Sequence, residues 1–527
     1  MSIFTQAPMR RVPSNSFDLS HDVKMTCHAG KIIPIYTEDC LPGDVVNMNS
    51  TVMARMMPML APIMHKMNIT VFAHFIPYRL IWSGSEKFFE NPIPDPNTPV
   101  MPYFQDVEID IGSLGDYLGL PTYKAGSGPN THYQYTRIDK INALAFAAYQ
   151  KVYSDWFRDQ NLINGGQETR YALTEGMNDF QAFNILRDRA WEHDYFTSCL
   201  PFAQKGDPVE FPIGDRANIY LDQTNTEAGV IDKAIGAGLP STGDLSATGS
   251  SGTGRWMADS NGDLVRYNPN NTLYADLSAA TATTVEALRW SVRLQEFLEK
   301  NARGGTRYIE LMKAHFGVVS SDARLQRSEF IGSTTTPMVI SEVLQQSATQ
   351  DGTTPQGEMA GHGLAVGHSK KFYYRTEEHG IFMVTLNIRP KTAYSQGIPK
   401  MFSRFTPLDF PWPDFAQLGE QEVLNREVYY NDGDGANDEV FGFQSRYADK
   451  KYCNDRIAGE MRTSLDFWHM GRIFTSRPTL SGSFISSNPT SRIFAVTDTD
   501  YGHHYILHIS HNIRIRRKLP KFGIPSL

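Results

Sequence analysis

Residues 67–82, MNITVFAHFIPYRLIW, decide how the rest of the chain is read. Met67, Ile69, Val71, Ala73 and Phe75 alternate with Asn68, Thr70 and His74, the two-residue period of an extended segment whose apolar side chains share one face. β-branched and aromatic residues dominate the stretch and suit the pleated surface of a sheet. The pattern predicts a half-buried strand. Pro77 has no N–H to give to a ladder and ends it. Tyr78, Leu80, Ile81 and Trp82 then form an apolar docking segment that must pack on something other than the same ladder.

Before this strand, a polar arm runs to about Cys27, and two extended runs over 31–37 and 45–52 meet at Pro42-Gly43, the order of residues a type II turn requires. Met53, Met56, Met57, Met59, Met64 and Met67 then gather around Pro58 and Pro62. The flexible thioether fills irregular gaps, which predicts core packing; the same plasticity suits an adaptable partner-binding surface.

After it, residues 91–102 are a proline-rich loop. The spacing of Ile138, Ile141, Ala145, Ala148 and Val152 predicts a helix over 137–161 with Thr136 as N-cap and Asp139 in its first turn. Residues 222–276 turn to Gly, Ser, Thr, Asn, Asp and Ala and lose apolar periodicity, which predicts an exposed polar insertion. A helix over 285–303, capped by Thr284, carries apolar residues on two faces, Leu288 and Val292 apart from Trp290, Leu294 and Phe297. Gly304-Gly305 ends it, and Thr306 caps a third helix reaching about His315, so helical insertions are expected over 136–161 and 284–315. Strands return over 381–390 and 501–519. In the latter, Tyr505, Leu507, Ile509, Ile513 and Ile515 alternate with His508, Ser510, Asn512, Arg514 and Arg516. Strands at both ends of the chain, with helices and a polar insertion between, predict a mainly β protein: one β-sandwich with expanded connections.

A chain of 527 residues is long for one core and calls for two or more units or one domain with large insertions. A net charge of -7 argues against coating nucleic acid with the whole surface, since phosphate neutralisation needs excess Lys and Arg. A local patch remains open. Arg514, Arg516, Arg517, Lys518 and Lys521 form the densest basic run, at the head of a C-terminal tail over 514–527. It is either a solvated strand end or a phosphate-binding tail with Phe522 placed to stack on a base. Cys27, Cys40, Cys199 and Cys453 lie far apart with no CxxC pair, so free thiols are expected rather than zinc or disulfides. No eighteen apolar residues run together and none follow Arg10-Arg11, so neither a signal peptide nor membrane insertion is expected.

His503, His504, His508 and His511 invite a metal reading, but strand residues four apart stand about 13 Å from each other, whereas zinc needs each ligand near 2 Å. The other reading puts them at a subunit contact, titrating near pH 6.5 as a switch. Residues 432–439 start like a calcium loop and then fail: Ala436 takes the fifth place, Asn437 the turn glycine's and Phe443 the bidentate glutamate's. The glycines in 302–307 lack the rest of a P-loop and read as a helix break. Nothing demands catalysis, a metal or a cofactor.

Several stretches taken together are more specific: FDLSHDVKMTCHAGKIIPI (17–35), MLAPIMHKMNITVFAHFIPYRLIW (59–82), WFRDQN (156–161), HDYFTSCLPFAQKG (193–206), ARGGTRYIELMKAHFGV (302–318), DARLQRSEFIG (322–332), TPQGEMAGHG (354–363) and LGEQEVLN (418–425). On these the chain resembles the major capsid proteins of the Microviridae, small icosahedral single-stranded DNA phages, in their gokushovirus-like branch. The resemblance covers nearly the whole chain and departs over 222–276. It implies a single viral jelly roll that self-assembles into a T=1 shell around circular single-stranded DNA. The polar insertion is then a protrusion at the three-fold axes, a candidate host-attachment surface. Expected partners are the subunit itself, an internal scaffolding protein, a DNA pilot protein, the genome and a host surface receptor. The expected location is the virion, assembled in the host bacterial cytoplasm. Tyr78, Leu80, Ile81, Trp82, Met56, Met57 and Met59 become candidates for intersubunit surface. A carbohydrate-binding, lectin-like β-sandwich is the alternative, because jelly rolls serve lectins too; a cupin-like metalloenzyme would need converging histidines.

Overall fold

The computed structural model describes residues 14–90, 98–122, 137–165, 170–207, 285–344, 359–495 and 502–522, with residues 96 and 209 and six short strands between 218 and 276. They divide into two units, one of residues 1–205 with 301–527 and one of residues 206–300.

The first unit is built on ten strands: β1 (Asn15–Asp18), β2 (His21–Cys27), β3 (Ile33–Cys40), β4 (Val45–Met56), β5 (Met67–Pro77), β6 (Glu329–Leu344), β7 (Met359–His368), β8 (Phe372–Arg375), β9 (Gly380–Pro390) and β10 (Tyr505–Arg517). They hydrogen-bond in the order β1-β10-β4-β7-β6-β5-β9-β3, with β2 also on β10 and β8 also on β4. β6 joins the two halves. Its first part, to Met338, opposes β5, and from Val339 onward it opposes β7, so one strand belongs to both layers of a curled antiparallel sandwich. Between the layers lie Val46, Met48, Ile69, Val71, Phe75, Phe382, Leu386, Leu507, Ile509 and Ile513, all buried. The protein is mainly β, a jelly-roll sandwich with helical and loop insertions.

The alternation in β10 holds: Tyr505, Leu507, Ile509, Ile513 and Ile515 are buried while Asn512, Arg514 and Arg516 are exposed. The β3–β4 turn is a type II turn. Asp44 N–H donates to Leu41 O at 3.0 Å, and Gly43 has φ +90°, a value L side chains rarely adopt.

Three expectations need correction. β5 is buried on both faces rather than one. Its inner residues meet the sandwich core as expected, but His74 on the outer face is 1% exposed, with its ring 5.4–6.0 Å from those of Trp156, Phe157 and Phe330. Second, the segment expected to be helical over 137–161 begins as a strand, Ile138–Asn142, paired with Tyr103–Val107. The helix, α1 (Leu144–Val152), starts later and widens into a π turn over Tyr153–Phe157. Asn142 Oδ1 accepts from Leu144 N–H at 2.8 Å and takes the capping role given to Thr136, which lies outside the described residues. Ile138 and Ile141 therefore serve a ladder, whereas Ala148 and Val152 remain on the buried side of α1. Third, after α2 (Val285–Gly304), α3 (Tyr308–Phe316) is capped by the Glu310 carboxylate, which accepts from Arg307 N–H at 3.0 Å, and not by Thr306. Thr284 lies outside the described residues.

α1 and the antiparallel pair of Tyr103–Val107 and Ile138–Asn142 form an apolar layer with Ile76, Ile381 and Met383, which belong to the outer side of β5 and β9. In the second unit, short strands form a four-stranded and a two-stranded sheet. Apart from these strands, the insertion expected over 222–276 lies outside the described residues.

Candidate assembly and nucleic-acid surfaces

The docking segment folds back onto its own subunit. After Pro77 the chain makes a 3-10 turn, Tyr78–Leu80. Tyr78 O–H donates to Asp39 Oδ1 at 2.7 Å, and Tyr78, Ile81 and Trp82 are buried against Phe104, Phe146 and Tyr149, with Trp82 1% exposed. Leu80 is half-buried. Met56 and Met59 are buried in the sandwich core, and Met57 packs against it. Tyr78, Ile81, Trp82, Met56 and Met59 are therefore packed inside their own subunit, while Leu80 and Met57 stay partly exposed. The reason is the helical layer: it offers an apolar platform where the chain leaves β5, and a sequence that shows only the strand does not reveal it. Met64, by contrast, is 74% exposed.

The basic run divides by strand parity. Arg514 and Arg516 point outward from β10; Arg517 shares the parity of Ile513 and Ile515 and turns inward. Its Nε lies 2.8 Å from Asp44 Oδ2, its guanidinium also pairs with Glu38, and Nη2 donates to Asp39 O at 3.0 Å. This charge is taken by the β3–β4 turn and is not offered to solvent. Lys518, Lys521 and Phe522 are exposed.

The ladders place other side chains beside Arg514 and Arg516. Across β4 and β8, Arg516 lines up with Val45 and Arg375, and Arg514 with Asn47 and Tyr373. On the other side they face Ser16 and Asp18 of β1. Farther along the same outer face come the rows Lys24–His508–Met53 and Thr26–Ile506–Arg55. Lys24, Arg55, Tyr373, Arg375, Arg514 and Arg516 are all exposed. Asp18 and Asp22 are the opposing carboxylates; Asp18 is held below the usual range by hydrogen bonds from Ser20 and, less strongly, by Arg514. Cations thus outnumber anions on this face, and an aromatic ring lies among them. Tyr373 and Arg375 were not singled out from sequence, although KKFYYR (370–375) sets three aromatic residues between basic ones and is a signal that could have found them.

The histidines do not converge on a metal. His503 Nδ1 is 2.9 Å from Thr26 Oγ1, His508 Nε2 is 3.6 Å from Asp22, and His511 sits 2.8 Å from Ser50 Oγ and 3.1 Å from Ile35 O. His504 stacks on Phe494 with centroids 4.3 Å apart. His504 and His511 are buried within the subunit, which removes these two from a subunit contact. In the calcium-like loop, Asp434 pairs with Arg477 and Asp438 with Arg426, while Asp432 and Glu439 are exposed, so the loop is partly neutralised by arginines and partly solvated. Among the described residues no group of three or more His, Cys, Asp or Glu side chains is arranged to hold a metal ion. Nor is any helix among them long and apolar enough to cross a membrane.

Residues 5–527 match the family described as capsid protein (F protein). The chain is 36% identical to capsid protein VP1 of Bdellovibrio phage phiMH2K, over 94% of this chain and 92% of that one. It is 30% identical to capsid protein VP1 of Chlamydia phage 1, and 31% to that of Spiroplasma virus 4, each over 99% of this chain and 97% of the relative. The matches run almost end to end, and the names are those of shell components, which selects the structural reading over the carbohydrate-binding and metalloenzyme ones. The chain therefore belongs to the capsid protein (F protein) family and is a structural, non-enzymatic subunit that assembles into the capsid of a phage virion.

Proposed function

We propose that this subunit builds a T=1 icosahedral shell around circular single-stranded DNA and turns the outer face of β1, β2, β10, β4 and β8 toward the genome. The observation that carries this reading is the contrast between the two outer faces of the sandwich. The face of β5 and β9 is sealed by the apolar helical layer. The face of β10 and β4 is polar and cationic, with Arg375, Arg514 and Arg516 exposed on adjacent strands. A chain of net charge -7 that gathers cations on one sheet face suits contact with phosphates on that side alone. Tyr373 offers a stacking surface that tolerates any base, as packaging a whole genome requires.

Replacing Arg375, Arg514 and Arg516 together by glutamine is expected to lower DNA per particle at least twofold and to make the remaining DNA easier to release with salt. The isolated subunit should unfold within about 0.5 kcal/mol of the parent, because all three side chains are exposed. Unchanged DNA content in purified particles would remove the role.

An internal scaffolding protein, a DNA pilot protein and a host surface receptor complete the proposed set of partners, with assembly in the bacterial cytoplasm. The insertion over 222–276 is proposed to stand at the three-fold axes as the host-contacting protrusion. Trimming it is expected to leave a folded, assembling subunit while cutting adsorption to host cells at least tenfold. Adsorption at the parental level would sink that assignment.

A further inference from the structure

Residues 400–418, KMFSRFTPLDFPWPDFAQL, hold a dense group of exposed apolar side chains in the first unit. Phe402, Phe405, Leu408, Phe410, Trp412 and Leu418 are between 47% and 82% exposed. At about 200 Å2 for a large side chain, these six leave on the order of 700 Å2 of apolar surface in water. That sum approaches the roughly 800 Å2 that each partner contributes to a stable complex.

The segment is held in shape rather than loose. Three 3-10 turns, Lys400–Ser403, Pro407–Asp409 and Pro413–Phe415, follow one another, and Trp412 Nε1–H donates to Pro407 O at 2.8 Å. Asp409 accepts from the N–H groups of Phe405 and Thr406 at 2.9 and 2.7 Å. Its cations are satisfied inside the subunit: Arg404 pairs with Asp449, and Lys400 lies 3.2 Å from Glu427. What faces outward is therefore mainly apolar, with Asp409 and Asp414 as its exposed charges, on a scaffold that loses little entropy on docking.

We propose that the 400–418 surface is a contact between copies of this chain in the shell, covered by a second subunit. This rests on the capsid reading: a subunit that closes a shell of its own copies must bury apolar area against them. The patch has the size, rigidity and apolar content of such a contact, whereas the sheet face of Arg514 is suited to phosphate.

The test places a photo-reactive amino acid at Leu408, 70% exposed, and irradiates purified particles. The expected adduct is a covalent dimer at twice the 59.3 kDa of one chain, in at least half of the crosslinked material. Adducts with another virion protein, with DNA, or within one chain would each overturn the proposal. A second arm uses Phe405→Asp with Leu408→Asp, expected to give at least tenfold fewer particles from a subunit whose circular dichroism and urea midpoint match the parent. Particles at parental yield would overturn it. Failure of the unaltered chain to form closed particles when coexpressed with the phage's other virion proteins would count against the shell reading itself, and so is distinguishable from failure of this contact.

Discussion

Replacing Arg517 by methionine is expected to cost the isolated subunit about 3 kcal/mol of unfolding free energy, against less than about 0.5 kcal/mol for Arg516→Met one residue earlier. The contrast comes from what each charge leaves behind. Arg516 is exposed, and its loss uncovers nothing. Arg517 is the ion-pair partner of Asp44, which is 1% exposed and whose Oδ1 has no hydrogen-bond partner among the described residues. Without the guanidinium, Asp44 keeps, among the described residues, only the N–H of Leu41 at 3.1 Å, and a buried carboxylate must lose its charge or draw in water. Arg517→Lys should recover part of the loss, since an ammonium restores charge but not the fork that meets Asp44, Glu38 and Asp39 O together. Urea titration of the four proteins checks the order parent, Arg516→Met, Arg517→Lys, Arg517→Met. Equal losses for Arg516→Met and Arg517→Met would mean that the clasp contributes nothing.

That split was available from sequence, because strand parity alone puts Arg517 with Ile513 and Ile515; a run of basic residues is easily read as one surface when it is two. Much of the sandwich was equally legible. The alternation of β10 and the inner face of β5 follow from a local period that burial enforces, and the Pro42-Gly43 turn follows from φ preferences. What was not legible depends on partners far along the chain. His74 looks solvent-facing in a half-buried strand, and only Trp156, Phe157 and Phe330, brought over it by the insertions, bury it. Ile138 and Ile141 fit a helical stripe as well as a strand, and pairing with Tyr103–Val107 decides between them. The aromatics of 400–418 carry the opposite lesson. Apolar composition without a period usually means core, and no local rule tells an exposed Phe405 from a buried one.

Lowering the pH from 7 to 4.5 is expected to destabilise the isolated subunit, with His74 and His511 responsible for up to about 5 kcal/mol between them. Burial pulls His74 down to about 3, and burial, with a smaller push from His21, pulls His511 down to about 4. In the unfolded chain both titrate near 6.5. Below that value the unfolded state takes up protons that the folded state refuses, so stability falls by up to about 1.4 kcal/mol per pH unit for each histidine until the folded values are reached. The geometry agrees. His74 Nδ1 has no hydrogen-bond partner among the described residues, and a charge there would face aromatic rings. His511 fits as the neutral ring, Nε2–H donating to Ile35 O and Nδ1 accepting from the Ser50 hydroxyl. Asp18, Asp22, Asp409 and Asp434, all lowered, act below about pH 4 and so outside this window. Asp322 and Glu329, raised by burial, take up protons in the folded state first and offset part of the loss. The discriminating measurement is therefore urea unfolding at pH 7, 6, 5 and 4.5 for the parent, His74→Leu, His511→Gln and the double variant. His74→Leu should be neutral to about 1 kcal/mol stabilising at pH 7, since an apolar side chain replaces an unsatisfied polar one of similar volume. Each single variant should reduce the acid slope, and the double variant should lose most of it. A double variant with the parental slope would show that the acid sensitivity lies elsewhere, with His65 and His503, both also lowered by burial, the next groups to replace.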